Sequence, residues 1–380
     1  MPSSPKTSDL TIAFLRRGYS STGGVEVYLK GLATGLREKG HRVVLLGTHS
    51  WPSEDWPGGE ILRCRGRSLR EYVREVWRHN ESCPFDLIIS VEKVPGCDVY
   101  RTDEGVHAAW MRERSIYLTF WDRWFQFLNP KHREKLQYEE KIFRANSTRR
   151  VISISNKITK DIISYYGYPE KQISLIYNGI PWGSSLLPVD RSKARRSLDI
   201  PQNDKIVLFV GTGWERKGLR YALSAVEMLA VRDSRIRLLV AGKGNERRYR
   251  SPVVRFLGPV TDMRGIYAAA DLLIAPAIFE PFSLAALEGL ASGLPVITSS
   301  LAGVSEVMIS GLHGEVIGDP SDISALSSAL AKWIQRSDDP IKMSETAAAC
   351  SHLASQFTLE RNLRETISVL EEVMAEKSKS

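Results

Sequence analysis

The sequence predicts an α/β protein built from two doubly wound domains in series. Three observations carry that prediction. The chain has 380 residues, and at roughly 150 residues per domain this length favours two sizeable domains. Short, continuous apolar runs alternate with helical patterns, as expected for parallel strands buried on both faces. The same plan is laid out twice, on either side of Tyr177-Asn-Gly-Ile-Pro-Trp-Gly-Ser-Ser185, a stretch dense in turn formers. The expected limits are a first domain over 1–180, a second over 181–358, and a last helix over 359–380 packing back on the first.

The first domain opens with the run Leu10–Leu15, followed by a turn-rich segment, Arg16–Gly24. Val25, Leu29, Leu32, Ala33 and Leu36 then share one helical face, and Gly40 stops that helix. Further runs at Val43–Leu46, Leu87–Val91 and Val151–Ile154 read as strands. In the second domain Ile206–Val210 leads into a glycine loop and a helix from about Leu219 to Leu229. Strands follow at Ile236–Val240, Val254–Leu257, Asp271–Ile274 and Pro295–Thr298, with helices at Phe282–Ala291 and Ile323–Ile334. Two such domains joined by one linker imply a cleft, with ligands beyond the carboxyl ends of the strands.

Composition narrows the class. Hydrophobic residues are 43% and charged residues 25%, which argues against disorder, collagen and a coiled-coil rod. No run approaches the roughly 18 apolar residues of a membrane span; the most apolar stretch, Ile266–Ile278, carries Asp271. The opening MPSSPKTSDL lacks the order of a signal peptide. Cys64, Cys83, Cys97 and Cys350 form no CxxC pair and read as reduced thiols of a cytoplasmic protein. The net charge is +8, with most of the excess in the first half. That points to an anionic partner such as a membrane surface or a phosphorylated substrate. No RRM, KH or zinc-finger pattern supports nucleic acid as that partner. The glycine spacing also argues against a dinucleotide-dependent oxidoreductase.

Three segments can carry chemistry. Gly211-Thr-Gly213-Trp-Glu-Arg216-Lys217-Gly218 follows a strand and opens a helix. Its glycines admit a phosphate to the backbone, and Arg216 and Lys217 add charge where a pyrophosphate would sit; the other reading is a plain turn with two surface cations. Ser21-Thr-Gly23-Gly24-Val-Glu26 has the same context, and there a ligand could lie against Gly23 and Gly24. Glu280-Pro-Phe-Ser-Leu-Ala-Ala-Leu-Glu288 places one carboxylate at a helix mouth and one two turns inside. Each can bind a separate hydroxyl pair, while the amides of Phe282, Ser283 and Leu284 are expected as first-turn donors for a negatively charged leaving group. Acidic residues near the positive end of a helix are the plainer reading.

Together with "AAADLLIAPA" and "ASGLPVIT" (Ala291–Thr298), these motifs resemble the retaining glycosyltransferases of family 4, with the GT-B fold of two Rossmann-like domains facing each other across a cleft. The match spans about residues 200–320, and one departure is Ser283, where many members carry glycine. In the first half, Lys93-Val-Pro-Gly-Cys-Asp-Val-Tyr-Arg-Thr-Asp103 resembles a segment of bacterial lipopolysaccharide core glucosyltransferases. The resemblance implies a nucleoside-diphosphate-sugar donor, UDP-glucose foremost, and a lipid-linked saccharide acceptor. It assigns the donor pyrophosphate to Arg216 and Lys217, the ribose to Glu288, the transferred sugar to Glu280 and the base to the backbone at Val260. Gly24 would pack against the donor from the other domain. Asp103 would orient or deprotonate the acceptor hydroxyl, with His107, taken as a lone exposed histidine, the weaker candidate. A same-face mechanism is implied, with no metal or other cofactor.

The stretch Trp110–Phe127 concentrates Trp110, Tyr117, Phe120, Trp121, Trp124, Phe125 and Phe127 among basic residues such as Arg123. A basic amphipathic helix with large aromatics suits the headgroup layer of an anionic membrane, and the alternative is a core helix beneath the first sheet. The expectation is a peripheral enzyme on the inner face of the plasma membrane. The competing function is a non-catalytic GT-B protein that binds sugar nucleotides or anionic surfaces.

Overall fold

The computed structural model describes residues 10–20, 23–144, 147–183 and 189–379, without the side chains of Phe125 and Phe127. Ser21 and Thr22 of the first glycine loop, Ser184 and Ser185 of the linker and those two aromatic side chains therefore lie outside the described residues. The chain divides into two compact units, Met1–Tyr177 with Glu360–Ser380, and Asn178–Leu359.

Unit 1 begins with β1 (Thr11–Leu15), α1 (Gly24–Glu38), β2 (Arg42–Gly47) and β3 (Glu60–Arg63). It continues through α2 (Leu69–Ser82), β4 (Leu87–Ser90), β5 (Val99–Arg101) and three helices, α3 (His107–Ile116), α4 (Phe120–Leu128) and α5 (Pro130–Phe143). β6 (Arg150–Ser153), α6 (Asn156–Tyr166) and β7 (Ile173–Leu175) complete this part. The strands form a parallel sheet in the order β3-β2-β1-β4-β5-β6-β7. α1 buries Leu29, Leu32, Ala33 and Leu36, and Gly40, at φ 92°, ends it in a left-handed conformation that glycine adopts without a Cβ penalty.

Unit 2 runs α7 (Arg191–Ser197), β8 (Lys205–Val210), α8 (Leu219–Ala230), β9 (Ile236–Ala241), β10 (Val254–Gly258), α9 (Arg264–Ala269) and β11 (Leu272–Ala275). Then come α10 (Leu284–Ala291), β12 (Val296–Ser299), β13 (Gly314–Ile317), α11 (Ile323–Arg336) and α12 (Pro340–Ser355). Its parallel sheet is ordered β10-β9-β8-β11-β12-β13. The last helix, α13 (Leu359–Lys377), returns to unit 1. There Val369, Leu370 and Val373 are buried in one cluster with Phe14, Leu29, Leu32 and Leu36.

The fold is the α/β pair of doubly wound sheets that the alternating runs predict. β3, β5, β7 and β13 have no counterpart in the apolar runs: they are three or four residues long and mostly include a charged residue, so pairing rather than composition makes them strands. α10 starts at Leu284 rather than Phe282 because Ser283 has φ 95° and caps the helix with its hydroxyl, which accepts from the Ala286 amide. No helix among the described residues is long and apolar enough to cross a membrane.

Candidate functional site

In each sheet the strand order reverses between two central strands, β1 and β4 in unit 1, β8 and β11 in unit 2. Loops leaving the carboxyl ends of such a pair diverge to opposite faces and open a ligand crevice. In unit 2 those loops are Gly211–Gly218 and the segment from Pro276 to Ser283. A hydrogen bond from the Ile278 amide to the Arg216 carbonyl (2.9 Å) ties them together.

This contact sets the geometry of the cations. Arg216 Nη1 donates to the Phe279 carbonyl at 2.8 Å and to Glu280 Oε2 at 3.1 Å, and Lys217 Nζ reaches the same oxygen at 2.9 Å. Glu280 is held by its backbone as well, its amide donating to the Leu301 carbonyl and its carbonyl accepting from Gly303. Burial favours the neutral acid, but Lys217 and Arg216 outweigh it and keep the Glu280 carboxyl below its ordinary range. Gly211, at φ 138°, holds a backbone conformation that side chains rarely adopt, and a Cβ there would stand 2.7 Å from Lys217 Cδ and displace the lysine stem. A Cβ on Gly218 would meet the Pro276 carbonyl oxygen at 1.9 Å. Gly213, at φ 69°, is exposed.

Glu288 lies on α10 and accepts a 2.7 Å hydrogen bond from the Tyr267 hydroxyl of α9. Burial raises its carboxyl above the usual glutamate range, opposed by that hydrogen bond and by the Lys217 charge. Tyr267 is a site residue the sequence reading missed, since its partner is 21 positions away and no local pattern marks the pairing. Among the described residues, the first-turn amides of α10 without a hydrogen-bond partner are those of Leu284 and Ala285. Phe282 precedes the helix, with its ring buried and its carbonyl accepting from the Val304 amide. Ser283 holds a backbone conformation natural to glycine, at a cost on the order of 1–3 kcal/mol. Val260 is half-buried in the loop after β10.

In unit 1 Asp103 follows β5. Arg101 Nη1 bonds its Oδ1, the Arg101 guanidinium stacks 3.8 Å over the Tyr28 ring, and Asp103 Oδ2 is buried without a hydrogen-bond partner among the described residues. Burial lifts the Asp103 carboxyl above the aspartate range against the pull of Arg101 and Arg16. Gly24 is the exposed first residue of α1. At Gly23 the space of a Cβ is already used within the protein, since it would stand 1.9 Å from Glu26 Oε2.

Two residues stand elsewhere than expected. His107 is buried, not exposed: it stacks on Trp110 at 5.2 Å and its Nε2 lies 3.2 Å from His132 Nδ1. Burial, reinforced by the Lys93 charge, brings its pKa down to about 3, so the ring is neutral at physiological pH. Trp110 is correspondingly half-buried, packed on His107 and His132 with Arg114 over its face, and is not part of an exposed aromatic surface. Phe120, Trp121 and Trp124 of α4 are exposed, at 72%, 69% and 60%, as is Arg123.

Residues 22–181 match the family described as Glycosyltransferase Family 4, and residues 204–336 match Glycosyl transferases group 1. The chain is 24% identical over 354 residues to the lipopolysaccharide glucosyltransferase WaaG of Escherichia coli K12, covering 88% of this chain and 91% of that protein. A crystal structure of WaaG superposes with a TM-score of 0.78 at 23% identity, covering 94% of this chain and 99% of that one. The uncharacterized glycosyltransferase MJ1607 of Methanocaldococcus jannaschii is 26% identical over 332 residues, 77% of this chain and 80% of that protein. Anabaena Alr3699/HepE, crystallised in complex with UDP-glucose, has a TM-score of 0.71 at 18% identity, covering 96% of this chain and 100% of that one. The chain carries a family 4 domain followed by a group 1 domain and belongs to the GT-B glycosyltransferases.

Proposed function

We propose that the enzyme transfers glucose from UDP-glucose, with retention of configuration, to a lipid-linked saccharide of the lipopolysaccharide core type, at the inner face of the plasma membrane. The observation that carries the reading is the convergence of Arg216 and Lys217 on Glu280 at the switch point of unit 2. Two cations and a helix end suit a diphosphate, and two carboxylates eight positions apart, Glu280 and Glu288, suit hydroxyls. WaaG and HepE support the donor and acceptor classes by their descriptions.

In the proposed reaction the bond between the anomeric carbon and the diphosphate oxygen breaks, and the acceptor oxygen bonds to the same face of that carbon. The acceptor proton passes to the departing phosphate. Arg216 and Lys217 meet the charge that grows there, so their stabilisation is greatest in the transition state. Glu288, held by Tyr267, takes the ribose; Glu280 takes hydroxyls of the transferred glucose. The unpaired Oδ2 of Asp103 suits an acceptor hydroxyl, which it would orient by accepting a hydrogen bond while the proton in transfer goes to the phosphate. The exposed aromatics of α4 suit a headgroup layer. No metal is needed in this scheme, because the side-chain cations and helix end supply the positive charge.

A donor screen tests the reading. A specific ligand at a hundred times its Kd stabilises the native state by about 2.7 kcal/mol. UDP-glucose is expected to raise the melting temperature more than GDP- or ADP-sugars, and equally in EDTA. Absence of stabilisation by any sugar nucleotide, or its loss in EDTA, counts against the assignment.

A further inference from the structure

A cavity of about 530 Å³ lies wholly within unit 1, lined by Arg16, Arg17, Thr48, His49, Cys64, Arg67, Glu92 and Glu104 among others. Every lining residue follows the carboxyl end of one of the strands β1 to β5, which is where a doubly wound sheet receives ligands. The volume is within the range of small-molecule sites, roughly 300–1,000 Å³.

The charges in this wall are unequally committed. Glu92 is occupied, its Oε1 accepting from Arg16 Nη1 at 3.3 Å and from the Arg17 amide at 3.1 Å. Arg16 is further held by Glu26 at 2.9 Å, and Glu104 is paired with Lys135 at 2.9 Å. The guanidinium groups of Arg17 and Arg67 and the ring of His49 have no hydrogen-bond or ion-pair partner among the described residues. Arg17 is also built into place. Its carbonyl accepts from the Thr48 hydroxyl at 2.7 Å, its amide is bound by Glu92, and its stem passes Gly66, where a Cβ would come 3.3 Å from Arg17 Cγ. Burial pushes the Cys64 thiol up to about 12, so it adds no negative charge. The carboxylates are neutralised inside the protein, and the uncommitted capacity is cationic.

We propose that this cavity is the acceptor pocket and that it selects a saccharide bearing an oxyanion substituent, a phosphate monoester or a carboxylate, gripped by Arg17 and Arg67. The word acceptor rests on the glycosyltransferase reading; the ligand chemistry rests on the cavity. Two guanidinium forks match the oxygens of either group, and the paired Glu92 and Glu104 can still accept from sugar hydroxyls.

The test is calorimetric titration of the full chain with glucose 6-phosphate, glucuronate and glucose. It uses the wild type, R17A/R67A, R17K/R67K and R216A/K217A, with UDP titrated into each. The anionic sugars are expected to bind at least about tenfold more tightly than glucose, a preference lost in R17A/R67A, partly kept in R17K/R67K and retained in R216A/K217A. Glucose 6-phosphate binding better identifies a phosphate monoester, and glucuronate binding better identifies a carboxylate; either result supports the pocket. UDP should be weakened in R216A/K217A and not in R17A/R67A, which also shows that the latter folds. The proposal is overturned if anionic sugars bind no better than glucose, or if their binding falls with R216A/K217A and not with R17A/R67A. If UDP fails to bind the wild type while anionic sugars still follow Arg17 and Arg67, the donor assignment falls and the pocket's ligand class stands.

Discussion

Lys217 reaches Glu280 from a loop in which Gly211 leaves room only for the lysine stem, so its ammonium is positioned before any donor arrives. A preorganised cation aimed at a leaving group is typically worth on the order of 100-fold in rate. Lys217→Ala is therefore expected to lower kcat by about that factor, with Arg216 still holding Glu280 and the fold unaltered; steady-state turnover at saturating donor measures it, and an unchanged kcat would remove Lys217 from the diphosphate site. Tyr267 acts one step back. Its hydroxyl bonds Glu288 at 2.7 Å, and a hydrogen bond to a charged group contributes roughly 1.5–3 kcal/mol. Tyr267→Phe should raise donor KM by about tenfold or more and leave kcat near the wild-type value, because a ribose held by Glu288, as proposed, would be bound alike in ground and transition states. A fall in kcat with KM unchanged would contradict that role.

At the scale of elements, α4 (Phe120–Leu128) is the one whose outer face most needs a partner. Phe120, Trp121, Trp124 and Leu128 stay exposed, while Gln126 on the inner side is buried and donates to the Met111 carbonyl. Large aromatics bury 150–250 Å² each, and on the proposed membrane role the basic residues that follow would be drawn to an anionic surface within a Debye length of about 10 Å at 0.1 M salt. Co-sedimentation with phosphatidylglycerol vesicles at low salt should therefore fall at least about tenfold in Trp121→Ser/Trp124→Ser, and fall in the wild type as salt rises. Equal sedimentation of both proteins would leave α4 without this role. Elements also show what the sequence makes legible. The central strands announce themselves because burial on both faces demands continuous apolar runs, as in Lys205–Val210 and Leu87–Ser90. β13 carries Glu315, which pairs with Lys332 of α11, and β5 is three residues long; both exist through neighbours distant in sequence. The same limit governs the site. The acidic pair and the Arg-Lys loop are local motifs, whereas the His107–His132 contact, the Tyr267–Glu288 bond and the cavity past β1 to β5 arise from tertiary placement alone.

For the whole molecule, the connectivity makes unit 1 depend on the far end of the chain. Its sheet is complete by Leu175, yet its core is closed by Val369, Leu370 and Val373 of α13, together with the contact of Thr366 and Tyr28 at 3.5 Å. Three such side chains, at about 1.5–3 kcal/mol each for full burial, amount to a large share of the 5–15 kcal/mol that stabilises a typical domain. Unit 2 owes α13 little, because its own cluster is assembled from residues between Val207 and Ile334. Ending the chain after Leu359 should consequently make unit 1 sensitive to limited proteolysis and lower its unfolding transition, while unit 2 keeps its transition and its stabilisation by UDP. Calorimetry of the full and shortened chains, each with and without UDP, separates the two. Equal loss in both units would mean that they unfold as one cooperative block, and no loss in unit 1 would mean that α13 contributes nothing to its core.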